Sequence, residues 1–207
     1  FKTDVSNASR TQLLDLDSLD WSPEMLGLFG LERRMLPEVC ESNSLFGYSD
    51  LDGLLPGPVP ICGVLGDSQA ALLGNGCLSR GGAKLTLGTG TSVMVNAGPA
   101  RPGVSGGIVC SVGWKLNGRL CYVAEGNINH TGALIVWLRD KLRLIENSRD
   151  VGPIAAGLED NGGVYLVPAF TGLGAPYWRG DVRAAILGLG IGSGREHVIR
   201  AAEEAVA

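Results

Sequence analysis

The chain has 207 residues, a formal net charge of −4, 45% hydrophobic residues and 18% charged residues. That length holds one large domain or parts of two around a buried core, and a mildly acidic chain has no broad electrostatic reason to bind nucleic acid or an anionic membrane. No apolar run is long enough to span a bilayer, while five cysteines without a C-x-x-C pair and only two histidines support neither a disulfide framework nor a His-rich metal site, which makes a reducing cytoplasm the expected compartment.

Phe1 is not an initiator methionine, and Lys2-Thr3-Asp4 lacks the layout of a signal peptide. Ser22-Pro23-Glu24 ahead of Met25, Leu26, Leu28 and Phe29 predicts a helix with a serine N-cap and proline at its first position, ended by Gly30. Leu54-Leu55-Pro56-Gly57-Pro58 predicts a loop or linker. Residues 60–65 are short, apolar and twice β-branched, so they predict a buried strand, followed by the turn Gly66-Asp67-Ser68 and a helix that ends at Gly74. Asp67 thus lies at a strand-to-helix turn, where clefts of α/β proteins open. Aspartate is also a favoured helix N-cap, and on spacing alone capping is the simpler explanation.

Residues 83–87 predict the next strand, then the turn Gly88-Thr89-Gly90-Thr91 and a second strand through Val95. Glycines in such a turn let backbone N–H groups converge on an anion such as phosphate. A plain hairpin turn accounts for the spacing equally well. The turn is not a P-loop, and Val93 stands where a dinucleotide fingerprint needs its third glycine; the glycines at 188, 190, 192 and 194 miss that spacing too. Asn117-Gly118 predicts a hairpin. Residues 131–144 carry Leu134, Ile135, Trp137, Leu138 and Leu142, with Ile145 just beyond, at helical spacing. Trp137 in that stripe is expected in the core, Asp181 in a turn, and His197 on the surface or in packing. Residues 164–167 and 184–189 predict strands, and residues 196–207 a helix that reaches the last residue with no terminator, so the chain is expected to be a segment of a longer protein. Strands, hairpin and helices in this order indicate a mixed α/β fold.

An ordered series of motifs runs through the same residues. Thr3-Asp4-Val5-Ser6-Asn7-Ala8-Ser9-Arg10-Thr11 is similar to the T-D-x-[ST]-N-A-S-R-T stretch of glycerol kinases. Asp20-Trp21, Met35-Leu36-Pro37-Glu38-Val39, Gly66-Asp67-Ser68-Gln69-Ala70-Ala71-Leu72, Leu87-Gly88-Thr89-Gly90, Glu125-Gly126, Trp137-Leu138-Arg139-Asp140 and 167–173 with Ala175-Pro176-Tyr177-Trp178 continue it. The chain therefore resembles the FGGY family of carbohydrate kinases, on its glycerol kinase side. Residues 184–204 resemble that family's second signature, from which Glu203 departs.

The resemblance implies an actin-like (ribonuclease H-like) ATPase fold of two domains with a cleft between them. Residues 1–76 would be the end of the first, substrate-side domain and residues 77–207 the opening part of the second, nucleotide-side domain. It implies ATP-dependent phosphorylation of a hydroxyl of a small polyol or sugar, with ATP and Mg²⁺ as cofactors, glycerol as the leading acceptor and Asp67 as general base. Asp67, Ser68 and Ser92 would contact the acceptor, and Gly88, Thr89, Gly90 and Gly132 the nucleotide; no metal ligand is assigned within the chain. Ser68 and Ser92 stand where glycerol kinases have a glutamine and a phenylalanine, which enlarges the expected pocket and makes it more polar, so a tetritol or pentulose stays open as acceptor. A non-kinase actin-fold nucleotide-binding protein is the other alternative. A homo-oligomer is compatible with the resemblance, and the segment by itself is expected to be inactive.

Overall fold

Asp4 ends one element and begins the next. Strand β1 (Lys2–Asp4) turns directly into helix α1 (Val5–Ala8), because the Asp4 carboxylate accepts the N–H groups of Ser6 and Asn7 that the helix leaves unpaired. This computed structural model describes residues 1–103 and 106–207. By internal contacts the chain divides into a first unit of Phe1–Lys84, Met94–Ser105 and Val109–Glu125, and a second of Leu85–Val93, Gly106–Ile108 and Gly126–Ala207.

In the first unit β2 (Leu14–Asp15) and β3 (Asp20–Trp21) form a short antiparallel pair. Helix α2 (Pro23–Phe29) has the expected ends: Ser22 Oγ accepts the Met25 N–H, Pro23 opens the first turn, and Gly30 closes it at φ 66°. Strand β4 (Glu38–Cys40) lies parallel to β1, and β5 (Gly47–Ser49) pairs antiparallel with β6 (Val59–Ile61). The expectation of a buried strand over 60–65 is corrected here. Only Val59–Ile61 is strand, and all three of its residues are exposed. Pro60 has no N–H to give a second neighbour, which confines β6 to a two-stranded ribbon. Helix α3 (Asp67–Gly74) supplies the burial instead, through Gln69 and Leu72.

Strands β7 (Ala83–Leu87), β8 (Thr91–Gly98), β9 (Val109–Leu116) and β10 (Arg119–Ile128) form one sheet in the order β7-β8-β10-β9. The β9–β10 hairpin turns where the sequence says it should. Asn117 and Gly118 have φ of 50° and 76°, and Leu116 faces Arg119 across the turn. Two left-handed residues match the twist of a tight hairpin. The first unit's core lies between α3 and this hairpin, where Leu72, Met94, Trp114, Cys121 and Val123 pack together. Ala8, Leu14, Trp21 and Leu26 form a second cluster and Val5, Val112 and Tyr122 a third.

The second unit contains α4 (Gly132–Asp140), α5 (Val151–Ala156), the antiparallel pair β11 (Tyr165–Val167) and β12 (Ala185–Leu187), and α6 (Arg195–Glu204). Leu134 and Leu138 of α4 meet Val151, Val164, Leu166 and Ile199 in its core. The helix expected over 131–144 is shorter in the structure. It stops at Asp140; Arg143 takes φ 54°, and the Leu144 N–H folds back to the Leu138 carbonyl. Leu142 consequently points outward at 40% exposure, while Ile145 re-enters the core from the loop. Trp137 is half-buried, tilted against the Phe170 ring with centroids 4.9 Å apart. Asp181 pairs with Arg179 at 2.7 Å, and His197 Nδ1 accepts the Gly194 N–H at the start of α6. Among the described residues no helix is long and apolar enough to cross a membrane.

Candidate functional site

The approach to Asp67 is fixed by two hydrogen bonds from an otherwise irregular segment. The Val64 N–H donates to the Ser42 carbonyl at 3.0 Å, and the Gly66 N–H donates to Ser6 Oγ at 2.9 Å. Helix α3 then starts with the Ala70 N–H on the Gly66 carbonyl at 2.8 Å. A Cβ on Gly66 would lie 2.6 Å from Oε1 of Gln69, a side chain only 2% exposed, so the turn closes this tightly only with glycine.

The capping explanation for Asp67 is corrected by this geometry. The N-cap is Gly66, and Asp67 is the first helical residue, one position too late for its carboxylate to reach back over the first turn. Its Oδ1 accepts only the adjacent Ser68 N–H, at 2.6 Å, and the side chain is exposed. A carboxylate here complements the positive end of the helix, and among the described residues its Oδ2 has no donor. Ser68, half-buried, follows on the same turn.

The turn at Gly88–Thr91 is built into the start of α4. The Gly88 N–H closes on the Gly90 carbonyl at 3.0 Å. The carbonyls of Gly88 and Thr89 then take the N–H groups of Gly132, Thr131 and Ala133, at 3.0, 3.1 and 3.0 Å. Thr91 Oγ1 donates to Thr131 Oγ1 at 3.0 Å, and Thr131 Oγ1 donates to the Gly88 carbonyl at 3.3 Å. The turn thus spends its carbonyls on the helix, whereas the N–H groups of Thr89 and Gly90 have no partner among the described residues. Gly88 and Thr89 are exposed. N–H groups left unbonded in a glycine turn are donors that a phosphate oxygen can take up.

The glycines here serve close approach. A Cβ on Gly132 would lie 2.4 Å from the Gly88 carbonyl oxygen, and one on Gly90 would lie 2.7 Å from that of Ile128. The clash that forbids a side chain at position 132 is therefore with the turn itself. Ser92, half-buried, is the second residue of β8, the strand that leaves the turn. Asp67 and Ser68 belong to the first unit, and Gly88, Thr89, Gly90, Ser92 and Gly132 to the second.

Several participants were given no role by the sequence, although Asp4 and Ser6 stand in its first motif. Asp4, Ser6 and Ser42 are buried at 0%, 0% and 1% exposure and lead to the Asp67 turn. Thr131, at 1% exposure, anchors the Gly88 carbonyl. Thr131 was expected as the first residue of a helix, and it stands one position ahead of it, at the N-cap of α4. Among the described residues no group of three His, Cys, Asp or Glu side chains could hold a metal ion. Mg²⁺ in phosphoryl transfer is held largely by phosphates and waters, a manner of binding that needs no such cluster.

Comparison with known proteins gives concordant results. The model of the "FGGY family of carbohydrate kinases, N-terminal domain" matches residues 1–74, and that of the C-terminal domain matches residues 83–207. Glycerol kinase 1 of Thermotoga maritima is 55% identical over 206 residues, covering 99% of this chain and 42% of that protein. The glycerol kinase of Methylorubrum extorquens is 49% identical and is covered over 40% of its length. A crystal structure of Plasmodium falciparum glycerol kinase with ADP superimposes with a TM-score of 0.89 at 36% identity, over 99% of this chain and 41% of that one. A ligand-bound xylulose kinase from Lactobacillus acidophilus shares the fold, with a TM-score of 0.85 at 19% identity, over 99% and 42% of the two chains. The chain spans about two fifths of the length of these relatives.

Proposed function

This chain belongs to the FGGY family of carbohydrate kinases, and we propose that the enzyme it forms part of transfers the γ-phosphoryl group of ATP to a hydroxyl of a small polyol, glycerol first among them. The fold class is that of the family, the actin-like (ribonuclease H-like) ATPase fold. When bound, ATP supplies the phosphoryl group, and Mg²⁺ offsets the charge on its oxygens. The protein's part is positioning and proton transfer.

An alcohol is a poor nucleophile until its proton has somewhere to go. Asp67 accepts that proton as the new O–P bond forms and the bond to ADP breaks. What supports this role is the state of its carboxylate: exposed, at the first position of a helix whose approach is fixed twice, with a single hydrogen bond from Ser68. The N–H groups of Thr89 and Gly90 hold phosphate oxygens, and α4 fixes the turn through its carbonyls. Ser68 and Ser92 offer hydroxyls to the acceptor. Identity of 55% to a glycerol kinase favours glycerol, while two serines in place of a long amide and a ring favour a larger polyol or a pentulose as the second reading. The reaction belongs in the cytoplasm, where ATP is made available and where the five free cysteines remain reduced.

The test is ADP release by a polypeptide of the relatives' full length, offered glycerol, tetritols, pentitols and ketopentoses. We expect Asp67→Asn to lower kcat at least 100-fold with nucleotide affinity within about threefold of the parent. Turnover that survives this substitution removes Asp67 from the chemistry. Nucleotide binding with no phosphorylated product from any acceptor would instead favour a non-kinase member of the fold.

A further inference from the structure

The buried carboxylate of Asp4 is overcommitted for a helix cap. Its Oδ1 accepts the Asn7 N–H at 3.0 Å and Asn7 Nδ2 at 2.7 Å. Its Oδ2 accepts the Ser6 N–H at 3.0 Å, Ser6 Oγ at 2.7 Å and Ser42 Oγ at 2.7 Å. A helix of four residues needs only part of this. Beyond the two backbone N–H groups of the cap, three bonds remain: one from the Asn7 amide and two from hydroxyl groups, and both serines lead toward Asp67.

A serine hydroxyl has one proton. Ser6 gives it to Asp4, so the oxygen is left only as an acceptor, and the N–H it accepts is that of Gly66, the residue immediately before Asp67. Ser42 likewise gives its proton to Asp4 while its backbone carbonyl takes the Val64 N–H, and its own N–H is held by the Lys115 carbonyl at 2.8 Å. The turn into α3 is thus clamped at position 66 by a hydroxyl that the carboxylate orients, and at position 64 by the backbone of a serine whose side chain the same carboxylate holds. Every member of the chain lies in the first unit and is buried or half-buried.

We propose that Asp4 and Ser6 are positioning residues for catalysis: the Asp4–Ser6–Gly66 relay sets the direction in which the Asp67 carboxylate is presented to the acceptor hydroxyl. The proposal rests on the reading of Asp67 as the base. It goes beyond that reading in assigning a catalytic consequence to residues that touch neither substrate nor nucleotide. A misplaced base costs rate without costing ground-state binding, and a displacement of an ångström suffices for a 100-fold loss.

The experiment is a double-mutant cycle in the full-length enzyme with Ser6→Ala and Asp67→Asn, read as kcat and KM together with a thermal melt. Ser6→Ala is expected to lower kcat 10- to 100-fold with both KM values within threefold of the parent. Ser6→Thr, which keeps the hydroxyl, should restore kcat to within threefold. In the Asp67→Asn background Ser6→Ala should change kcat less than twofold, because nothing remains to be positioned. A kcat for Ser6→Ala equal to that of the parent overturns the proposal, as does an equal loss in both backgrounds, which marks a purely structural residue. Should Ser6→Ala fail to fold, the same cycle with Ser6→Cys, similar in shape with a weaker hydrogen-bonding atom, is expected to give a three- to tenfold loss confined to the Asp67 background, and no loss overturns the proposal. Parent-like turnover by Asp67→Asn alone removes the base, and with it the relay's purpose, so that failure is separately visible.

Discussion

The Cys121 thiol lies between Trp114, Met94 and Val123, and burial pushes its pKa up to about 11 from an ordinary value of 9.0. In the unfolded chain the proton leaves near pH 9, whereas the folded chain keeps it until about pH 11. Stability drawn from this neutral thiol is therefore fully present below pH 9 and falls as pH rises across that window, since the unfolded state then binds fewer protons. Cys121→Ala should be less stable at pH 8 by about 1 kcal/mol, because it leaves a small cavity. Its urea midpoint should nonetheless fall less steeply between pH 9 and 11 than that of the parent. Parallel slopes would show that the thiol does not titrate differently in the two states. Alkylation should likewise reach exposed Cys62 in the native protein and Cys121 only after unfolding.

Elements whose geometry is settled by their own residues were legible in the sequence. The Asn117-Gly118 hairpin and the Ser22-Pro23 to Gly30 helix follow from local backbone preferences, and both are present as expected. Gly118→Val should cost about 1–2 kcal/mol in the urea midpoint, because a β-branched residue at φ 76° clashes with its own backbone. A midpoint unchanged within error would mean that the turn can re-form in another geometry. The elements that misled did so where tertiary context decides. Residues 60–65 have the composition of a buried strand, yet composition cannot report whether a strand has a neighbour on its second side. Residues 131–145 keep a helical period although the last of them fold back as a loop, because a returning loop also needs an apolar residue to re-enter the core. The same limit applies to the candidate site. Asp67 and Gly88–Gly90 stand out as motifs, whereas Ser6 acts on Gly66 across 60 residues of chain, a relation no local pattern carries.

On the scale of the whole molecule each unit has its own core, and in the second unit the proposed phosphate turn is continuous with that core. Thr89 and Gly88 receive the first N–H groups of α4, whose Leu134 and Leu138 are fully buried. A ligand seated on the turn therefore stabilises that unit by mass action, by about 2.7 kcal/mol when present at 100 times its dissociation constant. In the full-length enzyme, saturating ADP should slow hydrogen exchange at Thr89 and Gly90 and along α4. Slowing confined to the turn, with α4 unaffected, would show that turn and helix are not mechanically joined.

A peptide whose glycine loop and helix share their carbonyls and amides cannot loosen one without fraying the other. Whatever loosens the carbonyls of Gly88 and Thr89 would release the first amides of that helix as well.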